Sequence, residues 1–134
     1  MKLVEEEIPM FEKLEITRMA QSMAAYAGAR MGVIARNVAN ADTPGYKAQD
    51  LAPFAEVYQG KAEMRTTRAG HFSATSSGAT PVTVAGTGGA SPNGNTVSLE
   101  GEMVNAVETR QTQEMALAIY RSTSDVIRAS LGRK

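Results

Sequence analysis

Two runs of residues, one near each end of the chain, repeat their apolar positions at alternating steps of three and four, and between them that pattern stops. In the first run Ile16, Met19, Met23, Tyr26, Arg30, Val33, Asn37 and Asn40 follow one another, with Ile34 and Val38 beside the line. In the second, Leu99, Met103, Ala106, Arg110, Gln113, Leu117, Tyr120, Ser124, Ile127 and Leu131 do so, flanked by Val104, Val107, Gln111, Met115 and Ile119. Such spacing lays side chains along a helix in a narrow seam of heptad type. The patterns predict helices over residues 8–41 and 97–131, each about 50 Å long at ~1.5 Å per residue. A helix cannot bury its own seam. The expected fold is therefore mainly α: two long terminal helices pairing as an antiparallel, coiled-coil-like hairpin. Residues 1–41, 42–96 and 97–134 are its three parts, within one domain.

Composition supports this division. Of 134 residues only 5% are aromatic and none is Trp, so few large side chains can anchor a compact core. The middle contains "SATSSGATPVTVAGTGGASPNGN", rich in Gly, Ser and Thr. Within it only Pro81–Ala85 has strand character, so residues 42–96 are expected to be mostly irregular with at most a short β element. The first helix is also crowded with small residues, among them Ala20, Ala24, Ala25, Ala27, Gly28, Ala29, Gly32 and Ala35. Gly28 and Gly32 each cost about 1 kcal/mol of helix propensity relative to Ala. Close approach of another helix is the expected compensation.

Charge and chemistry narrow the function. Basic and acidic residues number 14 each, giving no net charge and no basic surface suited to nucleic acid. The absence of Cys removes thiol catalysis, thiolate metal sites and disulfides. The single histidine, His71, has no nearby metal-ligating companions in sequence and leaves a Ser or Thr nucleophile without its usual base. "GTGGASPNGN" lacks the Lys-Ser/Thr ending of a phosphate loop. No catalytic residue, cofactor or metal is therefore expected, and the chain reads as a non-enzyme. The start "MKLVEEEIPMFEKLE" carries three adjacent glutamates and no apolar core of a cleavable signal peptide. Glu5–Glu7 and Pro9 are well placed for the first turn of a helix. No run of residues is long and apolar enough to span a membrane.

The segment Asn37–Tyr46, "NVANADTPGY", is dense in polar side chains yet reads as a joint. Asn40 is a candidate cap in the left-handed conformation. Thr43 before Pro44 is biased toward extended backbone. Pro44-Gly45 suits the centre of a type II turn. Tyr46 can fold its ring back on the helix end, and Asp42 and Thr43 can bond free backbone groups near the turn.

"ARNVANADTPGYKAQDLAPF" resembles the N-terminal signature of bacterial flagellar rod, hook and hook-associated proteins, matched here at Asn37, Ala39, Asn40, Thr43, Pro44, Gly45 and Tyr46. "TTRAGHF" and "SPNGNTVSLEGEMV" are similar to segments of the proximal-rod members of that family. The resemblance implies a structural subunit of the proximal rod, in the basal body and the periplasmic space. It implies export through the flagellar type III apparatus without a cleavable signal. It also implies assembly with copies of itself, other rod subunits and the adaptor between rod and membrane ring. The packing or assembly positions would be Ile16, Met19, Met23, Tyr26, Val33, Leu99, Met103, Val107, Leu117, Tyr120, Ile127 and Leu131. Another short rod subunit, or a soluble helical-hairpin adaptor or chaperone, are the alternatives.

Overall fold

A computed structural model describes residues 10–59, 83–86 and 88–132. The proposed helix start at Glu5–Pro9, His71 and most of the Gly/Ser/Thr-rich middle lie outside those residues. Helix α1 spans Met10–Ala39 and helix α3 Leu99–Ser130; between them come strand β1 (Gln49–Leu51), short helix α2 (Phe54–Gln59) and strand β2 (Thr83–Ala85). The strands form an antiparallel pair with Asp50 opposite Val84. Among the described elements, the contact between α1 and α3 is by far the largest. They run antiparallel, because Asn37 at the end of α1 bonds Glu102 in the first turn of α3.

The hairpin was expected, and its seam follows the expected lines only in part. On α1 the buried residues are Ala20, Ala27, Val33, Ile34 and Asn37, while Ile16, Met23, Tyr26 and Arg30 are half-buried and Met19 is exposed. The most buried line thus runs through Ala20, Ala27 and Ile34, beside the expected positions Met23, Tyr26, Val33 and Asn37, of which Val33 and Asn37 are buried too. On α3 the buried residues are Glu102, Thr109 and Ala116, again seven apart. Leu99, Met103, Val107, Leu117, Tyr120 and Leu131, expected to pack against the other helix or against neighbouring subunits, are exposed here, and Ile127 is half-buried. Arg110, expected at the centre of the seam, is exposed and pairs with Glu114. Gln113 is half-buried.

Small side chains explain the choice. Ala20, Ala27 and Ala116 have almost no exposed surface, and small contacts let helix axes approach closely. Thr109 joins them because its hydroxyl bonds the Asn105 carbonyl one turn back, at 2.6 Å, leaving its methyl to pack. Thr112 and Thr123 do the same to Glu108 and Ile119. A threonine satisfied by its own helix is effectively a small apolar residue.

The ends of the elements follow local chemistry. Ser98, in extended backbone, caps α3 by accepting the Gly101 N–H at 3.2 Å, and Glu100 and Glu102 occupy the first turn, where negative charge is favoured. The Pro53 carbonyl accepts the Glu56 and Val57 N–H groups to begin α2.

Candidate functional site: the joint at the end of the first helix

The joint is held by two buried asparagines. Asn37, 1% exposed, sits in the last turns of α1. Its Nδ2 donates to the Gln49 carbonyl at 2.7 Å and to Glu102 Oε1 at 2.9 Å. Its Oδ1 accepts the Gln49 N–H at 3.1 Å and, at a longer 3.4 Å, the Tyr46 hydroxyl. A carboxamide has the same donor and acceptor as a peptide group. Asn37 therefore pairs with Gln49 as a neighbouring strand would, on the side of β1 away from β2. One side chain ties α1, β1 and α3 together and has no bonding capacity left over.

Asn95 does the same work from the other side. It is buried, and its Nδ2 reaches the carbonyls of Asn40, Ala41 and Thr43 at 3.0, 2.8 and 2.8 Å. Carbonyls at a helix C-terminus have no partners within the helix. Asn95 supplies them from a segment more than fifty residues away, while its Oδ1 fixes the Val97 N–H at 2.7 Å. This corrects the reading of Asn40 as a left-handed cap, since no non-glycine residue among those described has positive φ. Asn40 instead returns its Nδ2 to the Arg36 carbonyl at 2.8 Å.

The turn itself is as expected. Gly45 has φ 75°, and the Tyr46 N–H reaches back to the Thr43 carbonyl at 3.3 Å. The Thr43 hydroxyl donates to the Asn40 side-chain oxygen at 3.3 Å, and its N–H to the Asn40 carbonyl at 3.0 Å. Gly94, also at positive φ, closes a turn on Ser91, and a Cβ there would lie 3.5 Å from the Gly45 Cα. The two turns lock through Gly45 N–H to Asn93 O at 3.0 Å, Thr96 N–H to Tyr46 O at 3.0 Å and Lys47 Nζ to Gly94 O at 2.9 Å. Pro44 is exposed, as are Ala39 and Thr43.

Beyond the turn the chain doubles back along α1. Arg30 grips Asp50 with two parallel bonds of 3.0 Å, Nε to Oδ1 and Nη2 to Oδ2. The Tyr26 hydroxyl donates to the Ala52 carbonyl at 2.7 Å, and its ring meets Phe54, which in turn meets Tyr58. Burial pushes the Tyr26 hydroxyl pKa up. The Asp50 hydrogen bond raises the Arg30 guanidinium further above its ordinary value. For Asp50, burial works upward, but hydrogen bonds from Arg30 and the Leu51 N–H, with the Arg30 charge, hold the carboxyl below its usual range.

A carboxyl lowered on folding stabilises the fold fully above its unfolded pKa, ~3.9, and loses that contribution as pH falls through its folded value. Asp50→Asn is expected to cost roughly 1–2 kcal/mol at pH 7 after allowance for partial exposure. In denaturant melts, its deficit relative to the unsubstituted chain should shrink below about pH 4. A deficit independent of pH would remove Asp50 from the acid response.

The joint has no resemblance to a reaction centre. Its polar groups, Glu102 Oε2 excepted, are bonded to one another and to backbone, and no cluster of three metal-ligating side chains occurs among the described residues. Of the sequence-matched positions, Asn37, Asn40, Thr43, Gly45 and Tyr46 all take part. Asn95 and Glu102 were not singled out from the sequence, although both lie in the "SPNGNTVSLEGEMV" segment.

A family model described as flagella basal body rod protein matches residues 18–47, from the middle of α1 through the turn. The chain is also similar to the flagellar basal body rod protein FlgB of Agrobacterium fabrum, 25% identical over 118 residues, which cover 83% of this chain and 88% of that one.

Proposed function

On the premise that the chain belongs to the flagellar basal body rod protein family, we propose that it is a structural subunit of the proximal rod and builds the torque-transmitting shaft through its terminal helices. It is not an enzyme in this reading. Its neighbours are copies of itself and other rod subunits, with the rod–membrane-ring adaptor at its station and the type III export apparatus on its route.

The observation that carries the assembly reading is the outward face of α3. Met103 and Val107 are each 68% exposed, with Val104 beside them. Val107 lies two residues from buried Thr109, about 200° around the helix at 3.6 residues per turn. The chain therefore uses a small, partly polar seam inside itself and leaves a more apolar line uncovered. Uncovered apolar surface of this kind marks an interface. On the outer side of α1, Ala25, Gly28, Gly32 and Ala35 are exposed, and a Cβ at either glycine would meet nothing within 4 Å. The glycines' propensity cost finds no return within the subunit. A bulky line on one helix and a shallow one on another are different surfaces. Pairing them between subunits is heterologous, and such contacts propagate into open helical arrays.

The chain has no Cys, so introduced thiols report contacts cleanly. Gly32→Cys and Val107→Cys, carried by separate copies, are expected to form an intermolecular disulfide in isolated basal bodies. Ala116→Cys, at a fully buried position, should form none with either. A tagged chain absent from purified basal bodies would end the rod reading. A chain present there without the Gly32–Val107 disulfide would end the assignment of faces.

A further inference from the structure

A cavity of about 200 Å³ lies between the β1–β2 pair and the first turns of α3, lined by Ala48, Gln49, Asp50, Thr96, Ser98, Glu102 and Asn105. Gly86, Gly88 and Gly101 complete its wall. Side chains could not be added freely there: a Cβ on Gly88 would overlap the Thr96 carbonyl, and one on Gly86 would press on Ala48 at 3.1 Å. Glu102 is 7% exposed, and although Oε1 accepts from Asn37, Oε2 is buried without a hydrogen-bond partner among the described residues. A carboxylate oxygen in that state lacks the donors that buried charge requires.

Among the described residues, the nearby cations of the same chain are already engaged. Arg30 is forked onto both Asp50 oxygens, and Lys47 bonds the Gly94 carbonyl. A divalent metal ion is a poor occupant, because such ions favour several carboxylate ligands and no group of three His, Cys, Asp or Glu side chains able to hold one is present among the described residues. What matches is a compact cation that brings its own N–H donors. Its donors would meet the Glu102 carboxylate, and the wall offers Asn105, Thr96 and Ser98 as further polar contacts. The final torsion of a Glu side chain is broad and soft, so the carboxylate can adjust toward a donor that enters the cavity.

We propose that this cavity is a socket for a basic side chain, lysine or arginine, of a neighbouring rod subunit. The inference rests on the rod reading. It gives Glu102 two roles: holding the joint through one oxygen and receiving the neighbour through the other.

Glu102→Gln separates those roles, since it keeps volume and an acceptor for Asn37 but removes the charge. The free variant is expected to melt no lower than the unsubstituted subunit. Its incorporation into basal bodies should fall at least tenfold in competition with the unsubstituted chain. Equal incorporation would overturn the socket and leave the rod reading intact, whereas absence of the unsubstituted chain from basal bodies would remove both. A lower melting temperature of the free variant would mean that the charge is satisfied within its own subunit, against the proposal. Independently, a side-chain-resolved map of assembled rods should show a basic nitrogen within about 4 Å of the Glu102 carboxylate. Water alone at that place would overturn the socket.

Discussion

At pH 7, Asn37→Asp is expected to cost the free subunit roughly 4 kcal/mol, a large share of the ~5–15 kcal/mol that holds an ordinary domain together. The substitution barely changes shape. It removes the two donors that serve the Gln49 carbonyl and Glu102 Oε1, and it sets a second carboxylate where an amide stood 2.9 Å from the first. Burial and the like charge both favour the neutral form of the new group, so its folded pKa lies above its unfolded one. The sign is therefore opposite to that of Asp50. Stability is kept below the unfolded pKa, ~3.9, and lost as pH rises through the folded value. Denaturant melts of variant and unsubstituted chain at the same pH give the deficit directly. It should be largest near pH 7 and much smaller at pH 4. An equal deficit at both would show that the contact with Glu102 is not what the substitution disturbs.

The same asparagine shows how far the sequence could be read. The helix exit and the turn were legible because their chemistry is local: Pro44-Gly45 specifies its own geometry, and Gly45 adopts the required positive φ. The cap was not legible, because its donor, Asn95, comes from the far side of the chain. Nothing in "NVANADTPGY" says that a second asparagine will arrive. Strand β1 and helix α2 are three and six residues long, too short for periodicity to register. They exist because Asn37, Arg30 and Tyr26 offer partners along α1 to the returning segment.

The two seams give the sharper lesson. Apolar periodicity on α3 is real, but it marks the face turned away from α1. Reading for Met, Leu and Val finds the surface with most to gain from being covered by something else. On α3 the seam within the subunit is Glu102, Thr109 and Ala116, residues that score as small or polar. Two helices that pack through small side chains leave their large ones outside. In the proposed rod, that division would leave enough contact to shape each copy and more apolar surface for its neighbours.

Val107→Asp tests that division most directly. In the free subunit the side chain is 68% exposed, so the expected change in unfolding free energy is within about 0.5 kcal/mol. In an assembled helix interface the same carboxylate would be buried without a partner. At a penalty of ~3 kcal/mol or more, incorporation should fall at least about a hundredfold, tenfold for each ~1.4 kcal/mol. The measurement is the ratio of tagged variant to unsubstituted chain in purified basal bodies, beside a melt of the free protein. Asn37→Asp should fail in the melt; Val107→Asp should pass it and fail only in the rod. A Val107→Asp chain that assembles normally would mean that the outward line of α3 meets solvent in the rod, and that some other surface holds the subunits together.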